Sequence, residues 1–176
     1  MPVLEADVFS ERSDESLHQT MQMPFGLMFQ ALDDLDKDEV YVCTGGTLRY
    51  ALWGGLMTTR AMKLGAAGAV LHGYTRDTRE ILKLGFPTFG MGSYAQDQGP
   101  RGKVVDFRTS IELGGVRVRP GDIVYGDGDG VVVVPAEVES DAFAGAIEKA
   151  RGEQHVRKVL EEGMSSVDAF RKFGIM

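Results

Sequence analysis

The spacing of apolar residues changes twice along the chain. Near the start, Val3 to Phe9 roughly alternates, which predicts a strand at a sheet edge. Ser10 to Gln19 is polar and reads as a loop. Pro24 is placed to open a helix, and Leu27, Met28, Ala31, Leu32 and Leu35 then share one helical face. Asp33 to Asp38 reads as an acidic turn. Val40 to Cys43 reads as a short buried strand ending at Thr44-Gly45-Gly46.

In the centre, strand and helix patterns take turns. Gly54 and Gly55 precede Leu56, Met57, Ala61 and Leu64 at helical spacing, with Gly65 as the stop. Ala69 to His72 is a strand and Gly73 to Asp77 a loop. Thr78 to Leu84 is a short helix with Ile81 and Leu82 inward, closed by Gly85. Pro87 to Phe89 begins another strand. This alternation predicts parallel βαβ units with right-handed crossovers. A long loop follows, Gly90 to Gly102, carrying Ser93, Gln96, Asp97 and Arg101. Loops of that length are often functional.

Beyond the loop the period becomes two. Val104 to Phe107, Ile111 to Leu113, Val116 to Val118, Ile123 to Tyr125 and Val131 to Val134 read as short strands. Gly114-Gly115, Pro120-Gly121-Asp122 and Gly126 to Gly130 are their turns. From Pro135 a helix is predicted with Val138, Phe143, Ala146 and Ile147 inward, broken near Gly152 or continuing through Val156 and Leu160. Ser165 or Ser166 caps a last helix containing Val167, Phe170 and Phe173. With no repeat and no linker, residues 1–176 read as a single α/β domain, its core about 40–138 and its C-terminal helical segment 136–176.

Composition narrows the partners. The 176 residues carry 19 Lys and Arg against 26 Asp and Glu, a net charge of −7. Such a surface repels phosphate backbones, so nucleic acid is not expected as a partner. No apolar run reaches membrane-spanning length, so no membrane is expected either. The acidic, polar start argues against a secretory leader. The single cysteine, Cys43, forms no internal disulfide and suits the cytoplasm. In its apolar run it reads as a small core residue.

Few chemical motifs survive inspection. There is no phosphate-binding G-x-x-x-x-G-K-[ST] loop and no G-x-S-x-G elbow. His18, His72 and His155 are far apart in sequence. Gly126 to Gly130 fails as a calcium loop because Tyr125 and Ala136 occupy the positions that need acids. Two places remain. Gly54, Gly55, Leu56 and Met57 open a helix whose first N–H groups lack intrahelical partners. They form either an anion site or a plain glycine turn. Arg76 and Asp77 follow a buried strand, where open α/β sheets collect ligands. Arg76 offers a planar anion fork and Asp77 a hard oxygen ligand. Equally, Asp77 and Glu80 fit a D-x-x-E capping box.

These segments, in order, resemble a known family. Gly54-Gly55-Leu56-Met57, Gly65 to Val70, Gly73-Tyr74-Thr75-Arg76-Asp77, Gly114 to Asp122 and Asp129 to Pro135 follow the pattern of the RraA-like family. That family includes the regulator of ribonuclease activity A and the class II 4-hydroxy-4-methyl-2-oxoglutarate aldolases. The resemblance, from about Val40 to Val138, implies an α/β/α sandwich of the swivelling β/β/α type, assembled as trimers or hexamers with the site between subunits.

The resemblance also implies roles. Asp77 would hold a divalent cation, Mg²⁺ or Mn²⁺, largely through water. Arg76 would contact the keto-acid end of a 2-keto acid substrate. Gly54, Gly55, Leu56 and Met57 would receive its carboxylate. The cation then acts as a Lewis acid. Cleavage of a C3–C4 bond, or decarboxylation of oxaloacetate, would release pyruvate without a lysine Schiff base. The alternative within the family is a non-catalytic regulator that binds and inhibits a ribonuclease. Three departures stand out. Gly55 occupies a position where many members carry Asp or Glu, which either weakens the metal site or moves that carboxylate's job to Asp97 or to another subunit. His72 replaces a more typical Asp or Asn. The family's helix before the first strand is missing, so a truncated start or a divergent subfamily is expected.

Overall fold

The computed structural model describes residues 1–8 and 17–175. The end of the first predicted strand at Phe9 and most of the Ser10–Gln19 loop lie outside them. The chain divides into two compact units, residues 1–133 and 134–176.

The first unit is built on a five-stranded sheet. Its strands are β1 (Pro2–Asp7), β2 (Val40–Thr44), β4 (Gly68–Leu71), β6 (Thr88–Phe89) and β8 (Gly102–Phe107), in the order β6-β4-β2-β1-β8. The first four run parallel, and β8 closes the β1 edge antiparallel. The apolar runs are buried on both faces, as parallel strands require. Tyr41, Cys43, Ala69 and Leu71 belong to one core with Ala31, Leu32, Ala61 and Ile81. Those partners come from the helices α2 (Met28–Asp33), α3 (Gly55–Leu64) and α4 (Thr78–Leu84). Val42 and Val70, one residue out of phase, belong to a second core with Ile111 and Val118. That face is covered by two hairpins, β9 (Ile111–Leu113) with β10 (Val116–Val118), and β11 (Ile123–Asp127) with β12 (Gly130–Val134). The period-two pattern therefore sorts adjacent residues into a helical layer and a hairpin layer.

A smaller sheet was not apparent in the sequence. It joins β3 (Ala51–Trp53), β5 (Tyr74–Thr75) and β7 (Gly92–Ser93), all parallel. Two of its strands have only two residues, too short for any periodicity. It runs through the loops predicted at Gly73–Asp77 and Gly90–Gly102.

Three further expectations are corrected. Pro24 opens no helix. Gly26 takes a left-handed φ of +60° and bridges to Val104, where a Cβ would strike the Val104 carbonyl. That bridge holds the chain against β8 and delays α2 to Met28. A short helix, α1 (Gln19–Gln22), precedes it. On α4 only Ile81 is buried and Leu82 is exposed, because neighbours on a helix point about 100° apart.

In the second unit α5 (Glu139–Glu161) is continuous through Gly152. A Cβ at Gly152 would strike Ile175, so this glycine permits a close approach and breaks nothing. Val138, Phe143 and Ile147 are exposed, against expectation, and the buried residue of α5 is Val156. The last helix, α6 (Ser166–Phe173), has the expected cap: Ser165 Oγ accepts from the Asp168 amide at 3.1 Å. Among the described residues no helix is long and apolar enough to cross a membrane.

Candidate active site

The small parallel sheet positions the site. Its three strands end side by side, and each is followed by a segment with chemistry in it. After β3 come Gly54 and Gly55, after β5 come Arg76 and Asp77, and after β7 comes the run through Asp97 and Gln98. The Arg76 amide donates to the Trp53 carbonyl at 2.9 Å, which ties the first two ends together. Arg76 and Asp77 thus follow β5 and not the strand ending near His72. The crevice beyond carboxyl ends of parallel strands is where such sheets place ligands.

Asp77 does not cap its own helix. It sits at the N-cap of α4 with a left-handed φ of 58° and makes no side-chain bond to that helix. Its Oδ2 instead accepts from the Gly55 amide, the first of α3, at 3.0 Å. The capping-box reading fails because the carboxylate has crossed to the neighbouring helix. The first intrahelical bond of α3 runs from the Thr58 amide to the Gly54 carbonyl. The amides of Leu56 and Met57 therefore have no acceptor within the helix. Gly54 must be small here: a Cβ would lie 2.9 Å from Asp77 Oδ2 and 3.3 Å from Arg76 Cγ.

A cavity of about 450 Å³ opens at this point, its wall including Gly54, Leu56, Met57, Arg76, Asp77 and Asp97. The structure thus brings together all six residues singled out in the sequence, with Gly55 linked through its bond to Asp77. Arg76 Nη1 meets Asp97 Oδ2 at 2.9 Å. That pairing answers where Asp97 points: at the guanidinium, not at Gly55. The carboxylate at Gly55 is Glu80, whose Oε2 lies 2.5 Å from where a Cβ would stand. Sequence reasoning saw Glu80 only as half of a capping box. His72 bonds Thr44 through Nδ1 at 3.2 Å.

Among the described residues no group of three His, Cys, Asp or Glu converges. A closed zinc-type cage is therefore not formed there. One or two carboxylates beside an open cavity suit a hard cation that keeps most of its water, as Mg²⁺ does. Asp77, on the cavity wall, is the residue that could hold it.

Behind the site lies a polar cluster the sequence did not reveal. Glu5, on β1, is 2 % exposed. Burial pushes its carboxyl up to about 8, with the Asp7 charge adding to the rise and the nearby Gln98 amide opposing it. Neither Glu5 Oε1 nor Gln98 Nε2 makes a well-formed hydrogen bond. For Asp7, burial acts upward, but bonds from the Thr47 amide and hydroxyl and the Tyr50 hydroxyl hold its carboxyl below the usual range. Burial likewise pushes the Cys43 thiol up, which leaves it an inert core residue.

The fold is a layered α/β protein that gathers an arginine, a carboxylate and free helix-end amides around one crevice, groups that can bind a small anion. The RraA-like family model, described as Aldolase/RraA, matches residues 16–133, and the chain belongs to this family. Over 133 residues it is 29% identical to a Halalkalibacterium halodurans protein provisionally named 4-hydroxy-4-methyl-2-oxoglutarate aldolase. The match covers 76% of this chain and 63% of that relative. Among solved structures, an uncharacterised protein from Pseudomonas syringae pv. tomato superposes with a TM-score of 0.80 at 21% identity, covering 98% of this chain and 75% of that one. The RNA-processing inhibitor RraA from Thermus thermophilis is 26% identical with a TM-score of 0.55, covering 76% and 74%.

Proposed function

We propose that this chain is a divalent-cation-dependent lyase that releases pyruvate from a small 2-keto acid. The reaction is retro-aldol cleavage of a 4-hydroxy-4-methyl-2-oxoglutarate-type substrate or decarboxylation of oxaloacetate. It acts in the cytoplasm as a homotrimer or homohexamer. The observation that carries this reading is the joint between Asp77 and the α3 tip, 3.0 Å from carboxylate to amide, beside Arg76 in one cavity.

Each residue has work it is shaped for. The amides of Leu56 and Met57 receive the substrate carboxylate, favoured by the positive end of the helix. Arg76 aims its donors at the keto oxygen, where negative charge grows as the carbon–carbon bond breaks. Asp97 restrains Arg76 and neutralises it until substrate arrives. Asp77 would hold the Mg²⁺ or Mn²⁺, which would supply Lewis-acid polarisation of the 2-keto acid. Phe25, Phe29 and Leu56 give the cavity an apolar wall.

A coupled pyruvate assay with oxaloacetate and 4-hydroxy-4-methyl-2-oxoglutarate, with Mg²⁺ and with chelator, tests this. Pyruvate release that needs the cation and is lost in Asp77→Ala is the expected result. Release from neither substrate, or full activity in the variant, overturns it. A second reading, a non-catalytic inhibitor of a ribonuclease, draws on the likeness to the Thermus protein and on the missing acid at position 55. Inhibition of a purified endoribonuclease by cation-free protein distinguishes it.

A further inference from the structure

We infer that Arg60 sets the specificity of this site: it receives the second carboxylate of a dicarboxylic 2-keto acid, at the end of the molecule away from the α3 tip. The inference rests on the lyase reading and assigns a residue to the part of the substrate that reading leaves unbound.

Arg60 is on α3 and lines the same cavity as Gly54, Leu56, Met57 and Arg76. It stands one turn beyond Leu56, and residues four apart share a helix face. The helix rises about 6 Å over that turn, a distance that the two ends of a short carbon chain can span. Arg60 Nε donates to Asp33 Oδ1, at the end of α2, at 2.7 Å. That bond orients the guanidinium, and the side chain stays 43 % exposed, so its charge is open to a ligand entering from solution.

The unused groups of the wall are donors. Its carboxylates each accept a bond already: Asp33 from Arg60, Asp77 from the Gly55 amide at 3.0 Å, and Asp97 from Arg76 Nη1 at 2.9 Å. The Leu56 and Met57 amides have no acceptor within the helix. Among the described residues, the two Nη groups of Arg60 bond nothing. A guanidinium held through Nε presents that Nη pair as a fork matched to a carboxylate. Donors at the helix tip and again one turn further on, beside an apolar wall, suit a short chain with a carboxylate at each end.

The competing role for Arg60 is an ion pair that only braces α2 against α3. Changing either partner removes such a brace, whereas a binding role belongs to Arg60 alone. Calorimetric titration of the full chain, with Mg²⁺ in the buffer, uses two uncleavable probes of equal length. These are 2-oxoglutarate, with a carboxylate at each end, and 2-oxopentanoate, with a methyl group at the far end. The parent is expected to bind 2-oxoglutarate about tenfold or more tightly than 2-oxopentanoate, the scale of one charge-assisted pair. Arg60→Met keeps most of the stem and is expected to abolish that preference by weakening 2-oxoglutarate alone. Asp33→Asn breaks the same ion pair, keeps the guanidinium and is expected to retain the preference. Both variants should melt close to the parent, because exposed ion pairs contribute little. The inference is overturned if the preference survives in Arg60→Met, if it is lost equally in Asp33→Asn, or if the parent shows no preference or binds neither probe at millimolar concentration. Pyruvate release by the parent decides the lyase reading separately: if cation-dependent release persists, only the role of Arg60 falls, and if there is none, both fall.

Discussion

At the scale of single residues, the site depends on side chains that are absent. Gly54 has an extended backbone, with φ −153° and ψ −177°, which any residue adopts. Its constraint comes from Asp77 and Arg76, which crowd the place of its Cβ. Gly54→Ala therefore pushes the Asp77 carboxylate off the Gly55 amide while leaving the backbone unstrained. Displacements near 1 Å cost on the order of a hundredfold in rate. We expect kcat/KM for pyruvate release to fall by roughly ten- to a hundredfold. The far-ultraviolet circular dichroism spectrum should be unchanged. An active Gly54→Ala variant would contradict the crowding. The motif glycines, Arg76 and Asp77 stood out through the family resemblance, because their spacing alone left a plain glycine turn and a capping box open. Glu80, Gln98 and Glu5 were not, because each owes its surroundings to chain far away in sequence.

At the scale of elements, one hydrogen-bonded joint sets where the α3 tip stands. Thr58 is fully buried. Its hydroxyl accepts from the Trp53 indole at 2.7 Å and donates to the Gly54 carbonyl at 3.1 Å. This clamps the end of β3 to the first turn of α3, and so aims the unpaired amides into the cavity. Thr58→Val keeps the shape and removes both bonds, leaving the indole N–H buried without a partner. The expected loss is about 2 kcal/mol, the cost of an orphaned buried donor. Thr58→Ser keeps the hydroxyl and should cost less. Urea denaturation followed by fluorescence reads this directly, since Trp53 is the only tryptophan in the chain. Equal losses in the two variants would remove the hydroxyl's role. Elements were legible in proportion to their length. The ten-residue α3 runs from Gly55 to its expected stop at Gly65, though Leu56 is exposed, whereas β5 and β7 have two residues each and are defined by pairing to β3 and to one another. The residues around the cavity could thus be named from the sequence, and the sheet that gathers them could not.

At the scale of the whole molecule, burial of Glu5 makes stability depend on pH in an unusual direction. Its carboxyl titrates near 8 in the folded chain and near the ordinary 4.5 when unfolded. Between those values the folded chain keeps a proton that the unfolded chain releases. Stability from this group is therefore complete below about pH 4.5 and falls as pH rises towards 8. The slope approaches about 1.4 kcal/mol per pH unit. Asp7 and Glu39 act oppositely. Burial alone would raise each, but hydrogen bonds, from Thr47 and Tyr50 to Asp7 and from Arg108 to Glu39, hold both below their ordinary range. Their contribution is lost only as pH falls below that range. The two trends meet in mildly acidic solution, where the molecule should be most resistant to denaturant. Glu5→Gln keeps the size of the side chain and cannot ionise, so its stability should decline less than the parent's between pH 5.5 and 8. Urea midpoints for both proteins across that interval measure the difference, and parallel curves would show that Glu5 is not the group responsible. Because Gln98 lies beside Glu5 and also on the cavity wall, the same titration bears on the site. Ionising Glu5 places a charge behind Gln98, and the segment that presents Asp97 to Arg76 rests on that contact.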